Sequence, residues 1–237
     1  MELTGAAIVN VPAVLNPVTV GAFHAALQQA SAEDVGCAIV LVDADTRTFC
    51  LGLDLAAALD NGGAADALGQ FVGCLEAIRL SPKPTVSYIR GAVRGGGVGI
   101  AAACDGVLAA PTATFATTEL RFGLTPSIIA PYLAERMTAQ KLRWMALTSQ
   151  PVDARSALQV GLVDRICADG DAPRVLRAWV AGWKRADAKA MALWKRASSP
   201  AGTGGLQTTL DRLADEGVRG RIGRFLEADA VWREDEQ

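Results

Sequence analysis

The chain has few of the residues on which metal sites and charge-relay triads depend. It contains a single histidine, His24, among 237 residues. A metal cluster or a Ser-His-Asp triad would have to rely on this one side chain, so the sequence predicts neither. The five cysteines are scattered and form no CxxC pair: Cys37, Cys50, Cys74, Cys104 and Cys167. An odd number of scattered cysteines argues against a disulfide framework and favours small core residues.

The chain also lacks a strong excess of charge of one sign and long apolar runs. Its formal net charge is −2, which gives no electrostatic footprint for nucleic acid or for an anionic membrane. No run of about 18 apolar residues occurs, and the N-terminal sequence MELTGAAIVN lacks the basic start of a signal peptide. We therefore expect a soluble cytoplasmic protein that binds neither nucleic acid nor membrane.

Hydrophobic patterns divide the chain into two regions. Short β-prone runs alternate with helical spacing over residues 1–170, and helical patterns alone follow over residues 171–237. The predicted strands and helices of the first region include Ala6–Val11, Val18–Ala30, Gly36–Asp43, Ala65–Leu80, Pro84–Ile89, Val98–Cys104 and Gly106–Ala110. The second region is predicted as two long helices, Ala172–Ala197 and Leu206–Ala230, joined by a flexible linker, Ser198–Gly205. This order predicts an α/β core with a helical C-terminal region.

The most informative stretch runs from Gly91 to Glu119, GAVRGGGVGIAAACDGVLAAPTATFATTE. Gly95, Gly96 and Gly97 precede a predicted buried helix, so they lie at a helix N-terminus, where unsatisfied N–H groups favour negative charge. Phosphate is the usual ligand of such a turn. This turn, however, has neither the lysine nor the serine of a phosphate loop, and no dinucleotide-binding GxGxxG follows the first strand. An oxyanion is the other ligand that these N–H groups favour.

Glu119 is the only acidic residue between Asp105 and Glu135. A cluster of N–H donors together with one acid indicates acid–base chemistry on a carbonyl compound. A solvated loop acid or an ion-pair partner is the alternative interpretation of Glu119.

Four other charged residues near these motifs have two interpretations each. Asp54 and Asp105 are typical of helix caps or loop braces. Arg94 and Arg121 are typical of solvated surface charges, but either side chain is also suited to meet a substrate carboxylate.

Four segments, in order over about residues 6–170, resemble the enoyl-CoA hydratase/isomerase (crotonase) superfamily. They are FCLGLDL (Phe49–Leu55), GAVRGGGVGIAAACD (Gly91–Asp105), FATTELRFGLTP (Phe115–Pro126) and LTSQPVDARSALQVGLVDRI (Leu147–Ile166). The resemblance implies a crotonase-type spiral of ββα units, followed by a helical region that commonly packs in a trimer or a dimer of trimers. It also implies acyl thioester substrates, carried on coenzyme A or on an acyl carrier protein, and no cofactor or metal.

The resemblance implies site residues as well. The backbone N–H groups of Leu53 and Gly96 are expected to hold the thioester oxygen as an enolate forms, and Glu119 is expected to move the proton. Six further residues are expected to bind substrate: Leu51, Gly52, Asp54, Gly95, Gly97 and Tyr132.

One position departs from the family pattern. Family hydratases carry two glutamates; the second maps onto Glu119 and the first onto Gly99, which has no side chain. Two-glutamate hydration of straight-chain enoyl thioesters is therefore not expected. GGGVGIAAACD and GLTPSIIAPYLAERM resemble methylglutaconyl-CoA hydratases, whereas RLSPKP and LRWMALTSQPVDA resemble polyketide β-branching dehydratases. The leading hypothesis is loss or addition of water at a 3-hydroxyacyl thioester, of 3-hydroxy-3-methylglutaryl type.

Three alternatives remain open. An isomerase that moves a 3-enoyl double bond to the 2-position also needs only one acid and the N–H pair. A decarboxylase forms the same enolate, and a non-catalytic family member would bind acyl groups without turning them over. The segment Phe225–Glu234 (FLEADAVWRE) is acidic where basic residues of the family often meet coenzyme A, which favours a carrier-protein substrate.

Overall fold

The structure, a computed structural model, describes residues 3–32, 36–43, 47–59, 63–197 and 205–227. Its strands are β1 (Ala6–Val11), β2 (Ala38–Asp43), β3 (Thr48–Cys50), β4 (Thr85–Ile89), β5 (Ala92–Arg94), β6 (Gly106–Ala109), β7 (Thr114–Ala116), β8 (Val152–Asp153) and β9 (Arg165–Ile166). Its helices are α1 (Pro17–Ala32), α2 (Gly63–Arg79), α3 (Gly96–Ala103), α4 (Ala130–Arg136), α5 (Ala139–Thr148), α6 (Ala154–Gln159), α7 (Ala172–Trp183), α8 (Ala188–Ala197), α9 (Gly205–Ala214) and α10 (Glu216–Glu227). Short 3₁₀ turns cover Ala57–Leu59, Glu119–Phe122 and Asp169–Asp171.

The strands form two sheets that the chain visits alternately. The larger sheet is parallel, with the order β1-β2-β4-β6-β9, and the smaller has the order β3-β5-β7-β8, with β8 antiparallel to β7. The chain passes through β2, β3 and α2, then through β4, β5 and α3, then through β6 and β7. Each repeat adds one strand to each sheet, which confirms the predicted α/β spiral of ββα units.

Burial accounts for the strands that the sequence predicts. All five residues of β4, TVSYI, are buried, as is typical of a parallel strand that is covered on both faces. The strands β3, β5 and β7 have three residues each, which is too short for a recognisable alternation of apolar and polar residues. The sequence therefore predicts the larger sheet better than the smaller one.

Helix α3 has a central position. It has eight residues, and those from Gly97 to Ala103 are all buried. A helix that is covered on every side needs small apolar residues all round rather than one apolar face, and its sequence GGVGIAAA meets that need. It packs against α2, α4, β3 and β5, so its N-terminus is fixed relative to the segment that follows β3.

The predicted helices of the C-terminal region are wrong in length. Ala172–Ala197 is two helices, α7 and α8, and Asp187 accepts a hydrogen bond from the N–H of Ala190 (2.7 Å) just before α8 begins. Leu206–Ala230 is also divided, into α9 and α10. Here Asp215 accepts from the N–H of Val218 (3.0 Å). An aspartate that caps a new helix start ends the helical pattern in both cases.

The region after residue 170 packs on the spiral rather than standing apart from it. Leu213, Val218 and Ile222 belong to the same core cluster as α3 and the β strands. Residues 198–204 of the predicted linker and residues 228–234 of the acidic segment lie outside the described residues. The division at residue 170 stays a prediction.

The described residues offer no metal site and no membrane span. No helix among them is long and apolar enough to cross a membrane, and no group of three or more His, Cys, Asp or Glu side chains could hold a metal ion. The five cysteines are free thiols. Burial raises the pKa of the Cys50, Cys74 and Cys104 thiols to about 12, so these three are core residues rather than nucleophiles. His24 lies on α1 and faces α2, where a Cβ atom on Gly73 would lie 3.3 Å from its Cε1 atom.

Candidate active site

The segment after β3 and the N-terminus of α3 are in direct backbone contact. Gly52 has a φ of 86°, and a Cβ atom on it would lie 3.0 Å from the backbone nitrogen of Gly96. Glycine alone permits this backbone conformation and this close approach together. On Gly97, a Cβ atom would lie 2.4 Å from the carbonyl oxygen of Cys50. The backbone that follows β3 and the backbone at the start of α3 therefore lie side by side at these glycines.

Each segment offers an N–H group at this point. Leu15 forms a parallel bridge with Leu53: its N–H donates to the Gly52 carbonyl (2.8 Å), and its carbonyl accepts from the Asp54 N–H (2.9 Å). In such a bridge the N–H of the middle residue, Leu53, points away from the partner strand. Gly96 begins α3, so its N–H has no acceptor within the helix. No acceptor among the described residues is recorded for either N–H, and the pair can hold one anionic oxygen.

Glu119 faces the same turn. It begins the 3₁₀ turn that follows β7, and the Gly95 N–H donates to the Ala116 carbonyl (2.9 Å), which ties the end of β7 to the glycines. Gly95 has a φ of 49°, and a Cβ atom on it would lie 3.5 Å from Glu119 Oε1. The structure thus brings together Glu119, Gly96 and Leu53, the three residues that the sequence predicts as catalytic.

The Glu119 residue is half-buried, and its carboxyl group is only partly compensated by hydrogen bonds. Its Oε2 is inaccessible to solvent and has no hydrogen-bond partner among the described residues. Burial raises the pKa of Glu119 to about 7, although its own backbone N–H and that of Thr118 lower it. Neither a solvated loop acid nor an ion-pair partner has these surroundings. A carboxyl group that titrates near neutral pH is suited both to accept and to donate a proton.

The residues beside Leu53 have different roles in the structure. Asp54 Oδ1 accepts from the N–H groups of Ala56 and Ala57, both at 3.1 Å, which is the capping role. Leu51 is 46% exposed. An apolar side chain open to solvent beside Leu53 remains suited to contact a substrate, as predicted.

Tyr132 lies away from the glycine turn. It is buried on α4, with the Arg79 guanidinium 5.1 Å from its ring centroid. It lines a cavity of about 500 Å³ together with Ala102–Asp105, at the C-terminal end of α3. Its part in substrate binding stays a prediction, and the structure does not bring it to Glu119.

That cavity is lined by charges that are already paired. Its three ion pairs join Arg79 to Glu135, Arg136 to Asp164 (2.9 Å) and Lys195 to Asp105 (2.5 Å). Arg136 also donates to the carbonyl oxygens of Ala102 (3.1 Å) and Cys104 (2.6 Å), at the end of α3 where cations are favoured. The arrangement is a structural cap of the helix, and Asp105 is a brace as the sequence suggests.

Two arginines near the site also brace backbone. Arg94 donates to the carbonyl and hydroxyl oxygens of Thr114, both at 3.1 Å. Arg121 donates to the carbonyl oxygen of Ser149 (2.9 Å). Neither side chain is a solvated surface charge.

Sequence reasoning missed the residues that hold the two halves of the site. Arg212 of α9 donates to the Gly123 carbonyl through Nε (2.9 Å) and Nη2 (2.8 Å), and this glycine ends the 3₁₀ turn of Glu119. Arg219 of α10 donates to the Leu59 carbonyl (2.5 Å), at the end of the turn that Asp54 caps. The sequence offers no local signal for contacts between residues so far apart in the chain.

Comparison with known proteins identifies the family. The chain matches the enoyl-CoA hydratase/isomerase family over residues 10–212. It is 34% identical over 119 residues to the bacillaene synthase dehydratase PksH of Bacillus subtilis, covering 50% of this chain and 45% of that protein. It is 32% identical over 197 residues to a "probable enoyl-CoA hydratase" of Rhodobacter capsulatus, covering 78% of this chain and 74% of the relative. For several curated relatives, PksH included, the match spans only about half of the relative's length.

Solved structures of enoyl-CoA hydratases have the same fold as this chain. An enoyl-CoA hydratase from Bacillus halodurans superposes with a TM-score of 0.86 at 18% identity, over 94% of this chain and 98% of that chain. PksH from Bacillus subtilis superposes with a TM-score of 0.86 at 24% identity, over 96% of each chain. These identities are low enough that the two likenesses show the fold alone. With its family match over residues 10–212, the chain belongs to the enoyl-CoA hydratase/isomerase family and has the crotonase fold.

Proposed function

We propose that this protein is a lyase that removes water from, or adds it to, a 3-hydroxyacyl thioester. Membership of the family supports a hydratase or dehydratase. The observation that carries the proposal is the buried Glu119 carboxyl beside Gly95, next to the N–H groups of Gly96 and Leu53. An acid with a pKa near 7 and a pair of N–H donors are the parts that enolate chemistry needs.

In the proposed dehydration, the Glu119 carboxylate takes the α-proton of the thioester. The electron pair of the broken C–H bond forms an enolate, whose oxygen the Leu53 and Gly96 N–H groups stabilise. The enolate then collapses, the C3–O bond breaks, and the protonated Glu119 gives its proton to the leaving hydroxyl as water. One carboxyl group handles both proton transfers, so both bonds break on one face of the substrate, and hydration is the same path reversed.

A single acid suits a substrate whose hydroxyl leaves readily. A tertiary alcohol, as in a 3-hydroxy-3-methylglutaryl group, fits this requirement better than the secondary alcohol of a straight chain. The 34% identity to the bacillaene synthase dehydratase PksH supports dehydration. The resemblance of RLSPKP and LRWMALTSQPVDA to polyketide β-branching dehydratases supports this acyl class and a role in β-branching. Since Leu53, Gly96 and Glu119 supply the proton transfer and the charge stabilisation, we propose that the reaction uses no cofactor beyond the thioester carrier.

We propose an acyl carrier protein as the carrier, and coenzyme A as the alternative. The acidic sequence FLEADAVWRE (Phe225–Glu234), where basic residues of the family often meet coenzyme A, supports the first choice. We also propose assembly as a homotrimer or a dimer of trimers. Large apolar side chains on the surface support such assembly, namely Trp144, Leu147, Leu193 and Trp194, which are 68%, 67%, 59% and 72% exposed.

A Δ3–Δ2 enoyl-thioester isomerase is the second candidate. The observation in its favour is that one buried acid faces the N–H pair, because an isomerase moves one proton between two carbons and needs no second group to place water. A decarboxylase forms the same enolate, but nothing at the site favours it.

The test is intact-mass analysis of 3-hydroxy-3-methylglutaryl thioesters, on coenzyme A and on a carrier protein, with wild type and Glu119→Gln. We expect wild type alone to remove one water mass, faster on the carrier protein. An unchanged mass on both carriers would overturn the dehydratase, and a 3-enoyl thioester would then test the isomerase. Loss of carbon dioxide would identify a decarboxylase.

A further inference from the structure

The side chain of Ile129 packs against Gly99 so closely that no larger residue fits at position 99. Gly99 lies buried in the middle of α3, and a Cβ atom on it would lie 2.2 Å from Ile129 Cγ2 and 2.9 Å from Ile129 Cβ. Glycine inside a helix is destabilising relative to alanine, so its presence needs a cause. The close approach of Ile129 is that cause.

Ile129 has little freedom to move aside. It is 2% exposed and is the N-cap residue of α4, where its carbonyl accepts from the Leu133 N–H (3.1 Å). Helix α3 is held from another side as well, because Gly97 lies against the backbone of Cys50. Neither element can retreat without disturbing a packed neighbour.

The contact lies one helical turn along α3 from the N–H pair of the proposed reaction centre. Residues three apart on a helix lie on the same side, so Gly99 is one turn along α3 from Gly96, whose N–H is part of the N–H pair. A Cβ atom on Gly96 would meet Leu15 and Phe71, whereas one on Gly99 would meet Ile129. A Cβ atom on Gly95, at the start of the same helix, would lie 3.5 Å from Glu119 Oε1.

We propose that Ile129 is the specificity-determining residue that keeps this a one-acid site. Its side chain fills the volume where a second catalytic side chain on α3, or a water held by one, would have to stand. Substrates whose hydroxyl leaves without a second acid react, and straight-chain 3-hydroxyacyl thioesters react poorly. This inference rests on the proposed function for its choice of substrates, but its steric part does not.

The steric part is tested by the melting temperatures of Gly99→Ala, Ile129→Ala and the double variant. We expect Gly99→Ala to lower the melting temperature by several degrees in the wild-type background, because the new methyl overlaps Ile129. In the Ile129→Ala background the same change should cost much less, because the space is open. An equal loss in both backgrounds would mean that Ile129 does not fill the volume, and would overturn the proposal.

The chemical part is tested with Gly99→Glu/Ile129→Ala on crotonyl and 3-hydroxybutyryl thioesters. The matched control is Gly99→Gln/Ile129→Ala, which has the same shape without a carboxyl group. We expect the glutamate variant to interconvert these thioesters at least about tenfold faster than wild type and the control, as an added general acid–base group allows. A folded glutamate variant no faster than its glutamine control would overturn the proposal.

A fallback variant covers a failure to fold, and one result distinguishes failure of the proposed function from failure of the role of Ile129. If Gly99→Glu/Ile129→Ala does not fold, Gly99→Asp/Ile129→Ala carries the same test with a shorter side chain against its asparagine control. If wild type fails to dehydrate 3-hydroxy-3-methylglutaryl thioesters while the glutamate variant gains crotonyl hydration, the proposed function falls and the role of Ile129 stands.

Discussion

The two ends of helix α3 contrast in how they treat charge and polar groups. At the N-terminal end, the Gly96 N–H and Glu119 Oε2 have no recorded partner among the described residues. At the C-terminal end, Arg136 pairs with Asp164 and also donates to the last carbonyl oxygens of the helix. The C-terminal end has many charges, all of them in ion pairs, whereas the N-terminal end has one acid with one carboxyl oxygen unsatisfied.

The difference separates a structural site from a reactive one. A cavity of about 500 Å³ lined by charged residues lies at the C-terminal end, yet its ion pairs use those charges to hold α3, α4 and α8 together. Buried polar groups without partners are costly, so they persist where function requires them. An unsatisfied carboxyl oxygen next to a pair of N–H groups, rather than the size of a cavity, therefore marks the candidate active site.

The difference between the reactive and the structural end of α3 is tested most directly by neutralising one acid at each end. We expect Glu119→Gln to lower kcat by about 10²- to 10⁴-fold, because the proton shuttle is lost. Glu135→Gln, which removes a partly exposed partner of Arg79 at the other end, should leave kcat within about twofold of wild type and cost about 1 kcal/mol or less in stability. Turnover of the 3-hydroxyacyl thioester measures the first effect, and comparable losses from both changes would refute the contrast.

The next largest loss of kcat is expected when a methyl group is added at the N-terminus of α3, at Gly96. A Cβ atom at Gly96 would lie 2.8 Å from Leu15 Cδ1 and 3.1 Å from Phe71 Cζ, so Gly96→Ala displaces the N–H by a fraction of an ångström. We expect kcat to fall by about 10- to 100-fold. Gly69→Ala in α2 meets nothing within 4 Å and is the control: it should keep full activity and gain up to about 1 kcal/mol of stability.

The raised pKa of Glu119 predicts opposite pH trends for activity and stability. The reaction begins with the carboxylate, so kcat/KM should fall about tenfold per pH unit below about pH 7. The folded state keeps a proton on Glu119 that the unfolded chain releases near pH 4.5, so this group stabilises the fold less as pH rises from about 4.5 to 7.

Thermal unfolding of wild type against Glu119→Gln measures the second trend. The two proteins should differ little at pH 4, and Glu119→Gln should become more stable by up to about 3 kcal/mol at pH 8. A difference that does not change with pH would mean that Glu119 has an ordinary pKa.

The smallest expected effect lies at the C-terminal end and concerns stability alone. Arg136→Met keeps an unbranched side chain in place of the arginine stem but removes the donors to Ala102, Cys104 and Asp164. We expect a loss of about 2 kcal/mol, read as a melting temperature about 4–8 °C lower, with kcat unchanged. A loss of activity in the folded variant would show that the two ends are coupled.

Much of the fold and of the site is predictable because it depends on local patterns. The apolar runs of β1, β2 and β4 stand out in the sequence, and those of β2 and β4 are largely buried. Gly95–Gly97 stand out because a close approach of backbones admits no side chain. The position of Glu119 relative to the glycines follows from its resemblance to a known motif and not from periodicity.

The rest depends on contacts that a pattern does not contain. The sequence predicts two long C-terminal helices, since amphipathic spacing continues past Asp187 and Asp215, and only the caps end it. Tyr132 shares a segment with apolar residues that follow Pro126, but the ring of the folded chain lies under Arg79. Neither the fit of Ile129 on Gly99 nor the bonds of Arg212 and Arg219 can be read from neighbours in sequence.

The positions of Arg212 and Arg219 in the chain determine when the candidate site can be completed during synthesis. Arg212 and Arg219 tie together Gly123 and Leu59, on the two sides of the site, and the ribosome adds both arginines long after it has made the segments that they join. A nascent chain that ends before α9 thus lacks these ties, and it also lacks the core contacts of Leu213, Val218 and Ile222. The candidate site would then be completed only late in synthesis, after α9 and α10 have been made.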